Sequence, residues 1–165
     1  MDIRPTIIMG NQAGDTCEID LIELDNKPIL EHVNSKLTLM PDETPTKVNF
    51  KGFDPIKPYR LLETPLPALI MLATLIERFG QIASDLYVDN HIDVVEDLLM
   101  NRNCLSWDSE EEFIYAMIED GCLLGEEFPL DKVKYLDMKA LTQEVMRDYI
   151  VYTASDNKIH IFYNN

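Results

Sequence analysis

The residues best suited to metal chemistry are Asp89, His91 and Asp93, which alternate within Asp89-Asn90-His91-Ile92-Asp93. In an extended segment alternate residues share one face, so two carboxylates and an imidazole would converge there. The spacing is not that of a first-row metal site, and the segment fits the entrance of a helix better. His32 and His160 fall in a predicted helix and a predicted terminal hairpin, and they read as packed or surface side chains rather than as a general base. Cys17, Cys104 and Cys122 are an odd number with no C-x-x-C pair, which reads as free thiols filling core space in a reducing compartment. There is no phosphate-binding glycine loop, no H-E-x-x-H and no G-x-S-x-G. Close carboxylate pairs abound, but thirty acids in 165 residues form such pairs by chance. No catalytic residue, metal or cofactor is therefore expected, and the chain reads as a non-enzymatic protein.

The acids carry a different kind of chemistry. Thirty of them against fourteen bases leave a net charge of −16. The imbalance is segregated: residues 1–60 sum to −3, residues 61–127 to −13 (fifteen acids, two bases), and residues 128–165 to zero. Solubility alone does not require that segregation. Asp85, Asp89, Asp93, Glu96 and Asp97 would lie mostly on one face of a continuous helix, where like charges repel by a few tenths of a kcal/mol per pair; a break near Asn90 would relieve part of this. Asp108, Glu110, Glu111 and Glu112 crowd a predicted helix N-terminus, where the helix dipole favours acids. Glu119 and Asp120 fall at the opposite end of that helix, where acids are disfavoured, and Glu126 and Glu127 follow. Duplex DNA carries one negative charge per about 1.7 Å of axis, and proteins meet it with grooves of Lys and Arg. A surface with carboxylates at comparable spacing could occupy such a groove, repel nucleic acid itself, and bind with steep salt dependence.

The elements that must position these acids read as α+β. Apolar residues make up 46% of the chain, enough for a core. No apolar run is long enough for a membrane span, and Met1-Asp2-Ile3-Arg4-Pro5 lacks a secretory layout, so a cytoplasmic protein is expected. Strands are predicted at Thr6–Met9, Cys17–Leu24 and near Lys47–Phe53, around a helix built on Ile29, Leu30, Val33 and Leu37 with Pro28 in its first turn. Pro55 and Pro58 suggest a boundary. Thr64-Pro65 reads as a cap and start for a helix whose stripe is Leu66, Leu69, Ile70, Ala73, Ile76, Phe79 and Ile82, with Gly80 ending or kinking it. A helix over Ile92–Met100 follows. Asp108 with Glu111 forms a predicted capping box for a helix closed by Gly121. Another helix is predicted over Asp137–Arg147, and Tyr149–Thr153 with Ile159–Tyr163 forms a hairpin. Three small modules are expected: 1–60, 61–103 and 104–165.

Residues 111–127, Glu-Glu-Phe-Ile-Tyr-Ala-Met-Ile-Glu-Asp-Gly-Cys-Leu-Leu-Gly-Glu-Glu, followed by Phe128-Pro129, resemble the ArdA-type antirestriction proteins: a helix ending in an acidic pair, then L-G-E-x-P. Tyr135-Leu136-Asp137-Met138-Lys139-Ala140 is similar to the family's Y-I-D-Y-x-A. The chain departs from the pattern where one residue stretches Leu124-Gly125-Glu126-Glu127-Phe128-Pro129, where Gln143-Glu144-Val145 stands for R-D-L, and where Met138 replaces an aromatic. The resemblance implies an elongated homodimer, encoded on mobile elements, that occupies the DNA groove of a type I restriction–modification enzyme in the bacterial cytoplasm. The acids from Asp85 to Glu127 would stand for phosphates. Leu123, Leu124, Gly125, Glu126, Glu127, Pro129, Tyr135 and Asp137 would support dimerisation or target engagement; the alternative for Gly125, Pro129 and Tyr135 is that they shape a turn and core. Competing readings are inhibition of another DNA-handling defence enzyme such as a CRISPR effector, and an acidic adaptor for a basic protein unrelated to DNA. A metal-dependent hydrolase comes last.

Overall fold

The computed structural model describes residues 4–24 and 29–163, with only the backbone of residues 29 and 30. The protein is α+β and divides into two compact units, Met1–Glu96 and Asp97–Asn165. The boundary expected at residue 60 falls inside the first unit. There Lys47 Nζ donates to the carbonyls of Leu61 (3.2 Å) and Thr64 (2.6 Å), and Arg60 to those of Val88 (2.7 Å) and Asn90 (2.6 Å), tying the chain together across that point. Among the described residues no helix is long and apolar enough to cross a membrane.

In the first unit, β1 (Thr6–Gly10) is the central strand of an antiparallel sheet, flanked by β2 (Thr16–Asp20) and β3 (Thr46–Lys51). Period-2 alternation places Ile7 and Met9 inside opposite Ile19 and Cys17. The β1–β3 register slips between Ile8 and Met9, leaving Val48 as the extra residue of a bulge. β2 stops at Asp20, short of the expected Leu24, because the Asp20 carboxylate accepts from the Ile22 amide and turns the chain. α1 spans Ile29–Lys36; Pro28, expected in its first turn, lies outside the described residues, as do the side chains of Ile29 and Leu30.

Pro58 does not mark a boundary but opens a short helix, α2 (Pro58–Glu63), where its missing amide costs nothing. Thr64 is accordingly not the cap of the next helix. It closes α2, its Oγ1 donating to Arg60 O (2.7 Å) and meeting the Tyr87 hydroxyl (2.8 Å). α3 (Leu66–Phe79) starts after Pro65 without a side-chain cap. Its deepest face is Leu69, Leu72, Ala73 and Leu75, rotated from the predicted stripe because Leu66-Pro-Ala-Leu-Ile-Met-Leu is apolar almost all round. Each fully buried Leu contributes about 2–3 kcal/mol. Gly80, at φ 72°, breaks the chain between α3 and α4 (Gln81–Asp89), a conformation open to glycine. Asn90 is extended, and α5 (Ile92–Glu96) follows; α3, α4 and α5 pack together.

The second unit begins with a π-helical turn over Asp97–Asn101, where an α-helix to Met100 was expected. β4 (Cys104–Trp107) then pairs with β6 (Ile159–Tyr163), which also pairs with β5 (Tyr149–Thr153), all antiparallel. α6 spans Glu110–Glu119 and α7 spans Met138–Val145, with short 3-10 segments at Leu130–Tyr135 and Met146–Asp148. Phe113, Ile114, Ile118, Val133 and Ile161 form the buried centre.

Candidate functional site

α6 carries the densest acids, and its ends explain how they are held. Ser109 is the N-cap, its Oγ accepting from the Glu112 amide (3.1 Å), while the Glu112 carboxylate accepts from the Asp108 amide (3.1 Å). The capping pair is thus one residue on from the expected Asp108 and Glu111, and those two acids are exposed instead. At the other end the Leu123 amide reaches back to Met117 O (3.1 Å), and Gly121 takes φ 70°, the hydrogen-bonded closure common after helices. A Cβ at Gly121 would stand 2.9 Å from backbone atoms of Glu126. The chain therefore folds back tightly over residues 121–127, holding Glu119, Asp120, Glu126 and Glu127 exposed in one compact turn.

The predicted phosphate-like acids divide into three groups. Asp85 does not belong among them: at 2% exposure it is buried in α4, where its carboxylate accepts from Gln81 Nε2 (3.1 Å). The side of α4 that carries it faces the first unit's interior, so its charge is not displayed. Asp97 is neutralised locally. Asn101 (3.2 Å) and Arg102 (3.0 Å) donate to it and hold its carboxyl below the usual range. The remainder are displayed. Asp89 and Asp93 are exposed and Glu96 half-buried in the first unit; Asp108, Glu110, Glu111, Glu112, Glu119, Asp120, Glu126 and Glu127 are exposed in the second. Among the described residues none of these eleven takes part in an ion pair.

Along the outer face of α6 the exposed acids meet aromatic rings. A shallow, open groove of about 580 Å³ is lined by Trp107 of β4, by Ser109 and by Glu111, Glu112, Tyr115, Ala116 and Glu119 of α6. Trp107 is fixed by a tilted contact with Phe113, ring centres 5.9 Å apart. Its indole nitrogen is buried without a hydrogen-bond partner, so the part of the ring that reaches the groove is carbon. The sequence reading missed both aromatics as site residues. Tyr115 could have been found by its spacing, since it stands at i+4 from Glu111 and i−4 from Glu119.

The motif residues have mostly structural partners. Leu123 packs on the core, Gly125 takes φ 87° in the turn, Pro129 leads into the 3-10 segment, and Asp137 caps α7 by accepting from the Ala140 amide (3.1 Å). Leu124 and Tyr135 point outward, Tyr135 being 73% exposed with the Lys132 and Lys134 ammoniums over its ring.

The candidate metal residues do not assemble among the described residues. Asp89 ends α4 and Asp93 lies in the first turn of α5, so the candidate metal segment is split by the helix break. Among the described residues no three His, Cys, Asp or Glu groups could hold a metal ion. His160 is buried in β6, its Nδ1 2.8 Å from Ser106 Oγ and 3.9 Å from Cys104 Sγ. Burial pushes the Cys104 and Cys17 thiols above their ordinary range, which leaves little thiolate. No protein-family model and no curated protein matches the chain.

Proposed function

We propose that this protein is an antirestriction protein that inhibits a type I restriction–modification enzyme by occupying its DNA-binding groove in place of duplex DNA. What carries the reading is the unpaired state of the displayed acids: eight exposed carboxylates between Asp108 and Glu127 make no ion pair among the described residues. Solvated acids opposite a basic groove gain attraction without first breaking pairs of their own, and they speed association. The resemblance of residues 111–140 to the ArdA-type family supplies the target class. On this reading the protein acts as a homodimer in the bacterial cytoplasm and binds neither nucleic acid nor membrane.

The test is competition between the full-length protein and unmodified duplex DNA for a purified type I modification complex, across a salt series. Mutually exclusive binding with a steep salt slope is expected. Replacing Glu110, Glu111, Glu119 and Asp120 together by Gln and Asn should weaken it about a hundredfold, with each change alone costing roughly two- to fivefold. Binding that persists unchanged at high salt, or survives the quadruple change, sinks the reading.

A further inference from the structure

Exposed carboxylates alone specify no ligand; what distinguishes the α6 groove is that two aromatic side chains line it. Tyr115 is 44% exposed on an otherwise acidic helix face. In α-helical geometry its ring lies one turn from Glu111 and Glu112 on one side and one turn from Glu119 on the other. Trp107 of β4 lines the same groove and presents carbon, its nitrogen being buried. Glu112, which also lines the groove, is held in place by the Asp108 amide, which donates to one of its carboxylate oxygens. Cations are attracted to the faces of aromatic rings. A planar guanidinium stacks on such a face and bonds a carboxylate in the same plane, whereas an ammonium is a compact, more strongly hydrated charge.

We infer that this groove is an anchor for an arginine on a basic segment of the partner protein, the guanidinium stacking on Tyr115 beside Trp107 while the flanking glutamates accept its N–H groups. The inference deepens the proposed function and takes the partner's identity from it: a groove built to grip DNA supplies arginines, and this is where one of them docks. The α6 groove sets beside the negative charges an aromatic surface that the phosphate backbone of DNA lacks.

Trp107 is the chain's one tryptophan, so its fluorescence reports this groove. The full-length protein is titrated at low salt with hexa-arginine and, separately, hexa-lysine. A saturable change in Trp107 emission is expected with hexa-arginine, with hexa-lysine binding more weakly. Tyr115→Ala should weaken hexa-arginine binding two- to fivefold. The change Asp131→Asn, at an exposed acid outside the groove that pairs with Lys132 (3.7 Å), should leave the Trp107 signal unaltered. Alanine at an exposed helical position keeps the fold, which circular dichroism checks. An unresponsive Trp107, equal binding of the two peptides, or unchanged binding by Tyr115→Ala overturns the inference. No restriction enzyme is present in this titration, so its failure removes the arginine anchor alone. Failure of the enzyme competition above, with the titration succeeding, removes the mimicry and the partner's identity and leaves the groove's preference for arginine standing.

Discussion

The two units carry the same net charge and use it differently. Residues 1–96 hold sixteen acids and eight bases, and residues 97–165 hold fourteen and six, so each sums to −8. In the first unit several of the bases are built into the fold. Arg4 pairs with Asp20, Lys51 with Glu18, while Lys47 and Arg60 end on backbone carbonyls, Arg60 also lying over the Tyr87 ring. One of its acids, Asp85, is buried. In the second unit the bases lie elsewhere, Arg102 on Asp97 and Arg147 on Glu144, and α6 with its closing turn is left acidic and unpaired. Net charge therefore locates nothing by itself; the placement of the bases decides which acids face a partner.

The largest expected effect breaks or sustains the division itself. Ile114 and Leu72 are each fully buried, one per unit. Truncation of either to Ala should cost about 2–5 kcal/mol, a large share of the roughly 3–10 kcal/mol that a unit of this size carries. In urea, Ile114→Ala should lower the midpoint read at Trp107, and Leu72→Ala should lower the overall helical signal first. Equal shifts of the Trp107 midpoint by both would show one cooperative structure and end the comparison.

A smaller effect separates the two helix-ending glycines. Gly80→Ala imposes backbone strain of about 1–3 kcal/mol but meets no neighbour within 4 Å. Gly121→Ala adds to about 1–2 kcal/mol of left-handed strain a collision with the Glu126 backbone. Its amide shifts should spread to Leu123 and Glu126 and its target binding should fall, while shifts in Gly80→Ala stay near residues 79–82. Intact binding by a folded Gly121→Ala protein would show that the acidic turn plays no part.

The smallest effect is one of pH, and the units should respond with opposite sign. Burial lowers the Lys47 pKa from its ordinary 10.5, so its folded ammonium is disfavoured and the first unit gains stability as pH rises through the folded value toward 10.5. Burial, then the neighbouring Tyr163, pushes Tyr149 from 10.0 up to about 12. Its neutral form is favoured in the fold, so that contribution is complete below pH 10 and is lost between pH 10 and about 12. Urea midpoints taken across this range, from methyl signals of Leu69 and Leu72 for one unit and of Ile114 and Ile118 for the other, test the signs.

Much of the fold was legible because its signals are local. The β5–β6 hairpin, the body of α1, and the closure of α6 at Gly121 rest on alternation, periodicity or capping within a few residues. The errors arose where a local signal had two uses: Thr64 could cap the helix behind it or ahead of it, and Ser109 competed with Asp108 for the same N-terminus. The predicted acids were legible as a group, yet not individually, since exposure depends on which side of each helix finds a neighbour.

By itself, then, the amino-acid sequence determined the size and segregation of the charge, the α+β class, and the helix that bears the acidic array, because composition and short-range periodicity need no distant partner. Tertiary structure alone decided that β4 pairs with β6 across more than fifty residues, and this strand brings Trp107 to α6. It also decided that Asp85 turns inward and that Arg60 is drawn off to the end of α4. Those outcomes follow from long-range pairing and from which face of a helix is covered, and neither leaves a mark in the residues alongside.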